Sequence, residues 1–145
     1  MKLFYGINSE EQLKKLKSRH HKGHSTFNRT FLYFHLIERL NNKVIGWCGY
    51  HTWAIDHDRA ELGYEMNDEK YMGKGLMSEA LSVVLEYGFK SLGLYRVEAL
   101  ISPYNKASLR LLEKNNFVKE GILKQHYKVN GVNEDSHIYA LLNNI

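Results

Sequence analysis

Two glycines one residue apart, Gly73 and Gly75, stand between a strand-like run and a long apolar helix, and they constrain this chain more than any other feature. Before them, residues 60–66 alternate. Ala60, Leu62, Tyr64 and Met66 fall on one face of a strand, and Glu61, Gly63 and Glu65 on the other. After them, residues 75–92 carry Leu76, Ala80, Val83, Val84 and Tyr87 with Leu81, Leu85 and Gly88, an apolar surface wide enough to lie against a sheet. A strand that turns through a short glycine loop into a helix N-terminus leaves several backbone N–H groups aimed at one point. The helix dipole adds partial positive charge there. Such a place suits an anion, phosphate above all, and glycine lets the backbone approach it without a Cβ in the way. The loop alone admits two readings, a phosphate cradle or a plain turn.

The other elements follow in order. Ser9-Glu10-Glu11-Gln12 is a capping-box pattern that starts a helix ending near Gly23. His20, His21 and His24 gather at its end. No second ligand pair of familiar spacing follows, so they read as histidines at the negative end of a helix dipole and no metal is expected. Residues 29–39 and 44–54 read as a strand hairpin, 61–66 as the third strand and 95–102 as the fourth. Asn105 caps a helix carrying Leu109, Leu111 and Leu112. Residues 117–129 and 134–142 form the last hairpin about Asn130-Gly131. With 145 residues the chain reads as one domain, 1–145. No apolar run reaches membrane-spanning length, and nothing at the N-terminus reads as a signal peptide. A single cysteine, Cys48, in an apolar run reads as a buried small hydrophobe and makes a reducing cytoplasm the expected compartment. The net charge of +4 favours anionic partners, but no dense Lys/Arg block marks a nucleic-acid face.

Three blocks in this order resemble the GNAT superfamily of N-acetyltransferases, and within it the branch of the ribosomal-protein alanine N-acetyltransferases. The first is Gly63-Tyr-Glu-Met66 with Tyr71-Met-Gly-Lys-Gly-Leu-Met-Ser-Glu-Ala-Leu81. Its glycine of the family's acyl-CoA loop is Gly75, while Met72 and Met77 replace the usual flanking residues. The second is Asn105-Lys-Ala-Ser108 and the helix after it; the third is the hairpin from Gly121 to Tyr139. The resemblance implies an α/β fold of the mixed α+β kind. That is the GNAT-like acyl-CoA N-acyltransferase fold, a central mixed, mostly antiparallel sheet flanked by helices. Members of the branch begin with a further strand and helix, so the domain is expected to be shortened at its N-terminus.

Moving acetyl from a thioester to an amine asks three things of a site. The pyrophosphate needs a grip, which the resemblance assigns to Gly73, Lys74, Gly75, Leu76 and Met77. Lys74 reads either as a counter-charge or as a solvent-facing lysine. The pantetheine amides need a sheet edge. The resemblance gives it to the third strand at Tyr64, Glu65 and Met66, splayed from the fourth, with Asn105 on the same side. The amine must lose a proton, since alkylammonium groups titrate near about 8 to 10. A carboxylate takes it directly or through water. Glu61 falls at the family's frequently catalytic glutamate, its other reading being an exposed strand carboxylate; Glu65 and His126 are second choices. For the leaving thiolate, many family members use a tyrosine at the position of Leu112, which cannot serve. The ribosomal branch uses a serine at the position of Ser108, whose other reading is a helix cap.

The expected activity is transfer of acetyl from acetyl-CoA to a primary amine, on a protein N-terminus or a small molecule, by direct attack. A non-catalytic module that binds acyl-CoA is the alternative. The aromatic hairpin, with Phe31, Tyr33, Phe34, Trp47, Tyr50 and Trp53, and an apolar last strand ending the sheet, lead to the expectation of a homodimer.

Overall fold

Asn-rich turns set the registers of this fold. The computed structural model describes residues 30–143; the helix expected from Ser9, with its histidines, lies outside them. Strands β1 (Thr30–Glu38) and β2 (Lys43–Ala54) pair antiparallel across a turn in which Asn42 takes φ 57°. There the Asn41 side chain accepts a hydrogen bond from the Lys43 amide at 3.0 Å. β3 (Arg59–Met66) pairs antiparallel with β2. Helix α1 (Leu76–Ser91) then crosses over to β4 (Arg96–Ile101), which runs parallel to β3. Helix α2 (Lys106–Lys114) leads to β5 (Val118–Val129) and β6 (Val132–Leu142). Asn130 and Gly131, at φ 49° and 83°, make the tight turn of that hairpin. The sheet order is β1-β2-β3-β4-β6-β5, with β3–β4 its one parallel pair among the described strands. This is the mixed, mostly antiparallel sheet with helices that the fold class required.

The last strand differs from its expected place. β6 does not end the sheet but lies between β4 and β5, antiparallel to both. Its apolar residues are those of an interior strand, with Tyr139 and Ala140 buried, and β5 is the edge. The hairpin aromatics also divide. Phe34 and Tyr50 are buried in the core, while Tyr33 and Trp47 lie half-buried on the opposite face.

Alternation separates two faces of the sheet. Leu32, Phe34, Cys48, Tyr50, Ala60, Leu62, Val97, Ala99 and Tyr139 pack with Leu81, Val84 and Leu85 of α1 and Leu112 of α2 in one core. The Tyr50 hydroxyl donates to the Val84 carbonyl at 2.7 Å, a buried bond that ties β2 to α1. Gly88 makes room for it, since a Cβ there would lie 2.1 Å from the Tyr50 oxygen.

Candidate active site

The β3–β4 ladder is short. It runs through Arg59↔Arg96, Ala60↔Val97 and Glu61↔Glu98 and then stops, although both strands continue. Beyond it, residues 62–66 stay paired with β2 on one side and have no described strand on the other. The expected splay of the third strand is therefore present, and it begins one residue past Glu61. Parallel strands place the helices that follow them at one end. The N-termini of α1 and α2 accordingly stand at the mouth of this opening, the usual ligand position in such an arrangement.

The loop entering α1 is built in small steps. Asp68 accepts from the Lys70 amide and starts a single 3-10 turn, Glu69–Tyr71, whose Tyr71 is buried. Gly73 and Gly75 then adopt φ 69° and 78°, and Gly75 is the N-cap of α1 with no side-chain cap. The left-handed backbone, not crowding, is what requires glycine, because a Cβ at either position would meet nothing within 4 Å. Helix geometry leaves the first-turn amides of Leu76, Met77 and Ser78 pointing out of the helix end. Lys74 is exposed beside them.

Glu61 is not the exposed carboxylate of the alternative reading. Its side chain is 16% exposed, and its Oε2 lies 3.6 Å from His51 Nδ1 across the β2–β3 ladder. Its neighbour in register, Glu98, is held by Arg59 at 2.9 Å and Arg96 at 2.7 Å. Arg96 also forks onto Glu120, and these bonds keep its guanidinium firmly protonated. Among the described residues, no lysine or arginine pairs with Glu61, so of two facing carboxylates one is held by two arginines and the other has only an imidazole at 3.6 Å. Burial first, and then the charge of Glu61, raise the phenols of Tyr33 on β1 and Tyr127 on β5 above their ordinary values. The Tyr33 ring lies 4.6 Å from that of Trp47 at a tilt of 49°, and Trp47 Nε1 donates to Glu65 at 3.2 Å. Glu61 thus sits among aromatic rings and one imidazole.

Two bulges shape that surface. Between His51 and Ala54 the register of β2 slips, with Thr52 at φ 49°; between Leu123 and Tyr127 that of β5 slips, with Gln125 at φ 51°. A β-branched residue in the left-handed region is costly, and here it stands beside the His51–Glu61 pair. His126 turns away to Ser136 Oγ at 3.2 Å, and Glu65 is exposed beside Trp47.

On the helix side of the opening, Asn105 caps α2 by accepting from the Ser108 amide at 3.0 Å, so the cap is Asn105 and the Ser108 hydroxyl is left for other use. Ser108 is buried. Tyr64 reaches toward it from β3.

A family model described as an acetyltransferase (GNAT) domain matches residues 4–118. The chain belongs to the GNAT acetyltransferase family. YoaA of Bacillus subtilis, named as an uncharacterized N-acetyltransferase, is 44% identical over 107 residues, which are 73% of this chain and 60% of that protein. The ribosomal protein uS5-alanine N-acetyltransferase of Escherichia coli is 33% identical over 122 residues, 83% of this chain and 60% of that one. The ribosomal-protein-S5-alanine acetyltransferase structure from Vibrio fischeri superposes with a TM-score of 0.78 at 29% identity, covering 93% of this chain and 70% of that one. The chain thus spans about three fifths of the length of these two curated relatives.

The family implies acetyl-CoA, and the residues fit it. Two left-handed glycines open an uncapped helix end suited to a pyrophosphate. The free edge at residues 62–66, with Tyr64, Glu65 and Met66 on it, can accept an extended amide-bearing chain as a further strand. No group of three or more metal-ligating side chains occurs among the described residues. No helix among them is long and apolar enough to cross a membrane.

Sequence reasoning singled out Glu61 and the loop, and named Tyr33 only as a hairpin aromatic; it did not place His51, Tyr33 or Tyr127 near Glu61. Their signal is register. His51 stands opposite Glu61, and Tyr33 opposite Gly49, which no single strand's pattern reveals.

Proposed function

We propose that this chain is an acetyl-CoA-dependent N-acetyltransferase that transfers acetyl to a primary amine, of a protein N-terminus or a small molecule, by direct attack. The observation that carries this reading is Glu61, half-buried, with His51 at 3.6 Å and no lysine or arginine partner among the described residues, at the point where the β3–β4 ladder opens. In this reading the amides of residues 73–77 bind the pyrophosphate, with Lys74 as counter-charge, and the free edge of β3 aligns the pantetheine arm. Glu61 takes the amine's proton, directly or through water, as the nitrogen attacks the carbonyl carbon. The surrounding rings of Tyr33, Trp47 and Tyr127 provide a face for a cationic amine before it is deprotonated. Ser108 and Asn105 stand on the thioester side. We also place the chain in the cytoplasm, in keeping with the buried thiol of Cys48, and expect it to act as a homodimer.

The test is a screen of primary amines, including alanine-initiated peptides and polyamines, for acetyl-CoA-dependent release of free thiol, with products identified by mass. Acetylation of at least one amine is expected. Tight acetyl-CoA binding with no acetylated product from any amine would favour a non-catalytic acyl-CoA-binding module instead.

A further inference from the structure

The Tyr64 hydroxyl is an anomaly. Its oxygen is buried and, among the described residues, makes no well-formed hydrogen bond, although the Ser108 hydroxyl lies close to it. An unsatisfied buried hydroxyl is costly, so native chains seldom keep one without a use for it. Alternation places Tyr64 on the helix face of β3, opposite to Glu61, and in the stretch beyond the end of the β3–β4 ladder. Ser108, in the first turn of α2, lies next to it from the far side of the opening. The opening is therefore bordered by a carboxylate on one face of the sheet and a pair of hydroxyls on the other.

We propose that the Tyr64 hydroxyl is a catalytic hydrogen-bond donor to the sulfur that leaves the thioester, with the Ser108 hydroxyl fixing its direction. This rests on the acetyltransferase reading above. As the amine nitrogen bonds to the carbonyl carbon, its proton passes to Glu61, and the carbon–sulfur bond breaks with its electron pair on sulfur. Tyr64 shares its proton with that thiolate and keeps it; the thiolate takes its own proton from water after release. Burial, only partly opposed by Ser108, raises the Tyr64 phenol, which keeps the donor protonated throughout the neutral range. A donor aimed where charge develops contributes in the transition state and little before it.

Tyr64→Phe separates this role from a structural one. The Tyr64 hydroxyl has no well-formed hydrogen bond to lose and only Ser108 near it, so its removal should change the melting temperature little. It should lower kcat roughly ten- to a hundred-fold, the worth of a hydrogen bond to a charged group, with KM for acetyl-CoA nearly unchanged. A second readout needs no turnover. Wild-type protein should prefer CoA to desulfo-CoA increasingly as pH rises toward the thiol's free pKa, because binding lowers that pKa, and Tyr64→Phe should lose this gain. Wild-type kcat in the variant, or a melting temperature that falls with activity, overturns the assignment. So does wild-type binding of CoA and desulfo-CoA with no pH-dependent difference, which leaves the acetyltransferase reading intact. Failure of wild-type protein to bind either ligand overturns that reading and this inference with it.

Discussion

Glu61 and Glu98 face each other across the last rung of the β3–β4 ladder and keep different company. Two arginines hold Glu98, while Glu61 has an imidazole at 3.6 Å and aromatic neighbours. Glu98→Gln should therefore act on stability. It leaves Arg59 and Arg96 without their shared carboxylate and should cost about 1–2 kcal/mol, read as a lower urea midpoint at unchanged slope. Both arginines are partly solvated, which keeps the cost from being larger. Acetyl transfer per folded molecule should change little. The face of Glu61 was legible in the sequence, because a period of two fixes which residues share a side of a strand. The company of Glu98 was not, since Arg59 reaches it from 39 positions away.

Between residues 66 and 76, the glycine loop is the proposed pyrophosphate cradle. Gly75→Asp puts a carboxylate in that proposed cradle, at a backbone conformation that Asp tolerates better than most residues and with open space for its Cβ. The circular dichroism spectrum should hold, and calorimetry should show acetyl-CoA affinity reduced by at least about tenfold. Undiminished binding would remove the loop from the site. Turn chemistry made this loop and the Asn130-Gly131 hairpin readable in advance, because glycine and asparagine are chosen for local backbone reasons. The place of β6 was not readable. An apolar strand at the chain's end looks like an exposed edge, and only its pairing with both β4 and β5 turns it into an interior strand. The meeting of Tyr64 with Ser108 was hidden for the same reason, since it arises from a helix closing over a splayed pair of strands.

At the scale of the whole molecule, one stretch of exposed apolar residues among those described runs along the β5 edge and its turn. Val118 is 67% exposed, Tyr127 50% and Val132 63%, and in the proposed homodimer we expect this edge, rather than the aromatic hairpin, to pair with the second copy. Light scattering at micromolar concentration is expected to give about twice 17.0 kDa, and Val118→Lys to shift the mass toward the monomer. A wild-type monomer throughout that range refutes the dimer. The claim on which the proposed chemistry stands is that Glu61, with an imidazole but no lysine or arginine beside it at the open ladder, removes the amine's proton. It is tested most directly by the rate of thiol release for wild type and Glu61→Gln, with one accepted amine at saturation, from neutral pH to about 10. The variant should be at least about tenfold slower near neutrality at similar acetyl-CoA affinity, and the deficit should close as the amine approaches its own pKa and deprotonates unaided. Equal rates for the two proteins at every pH would contradict it.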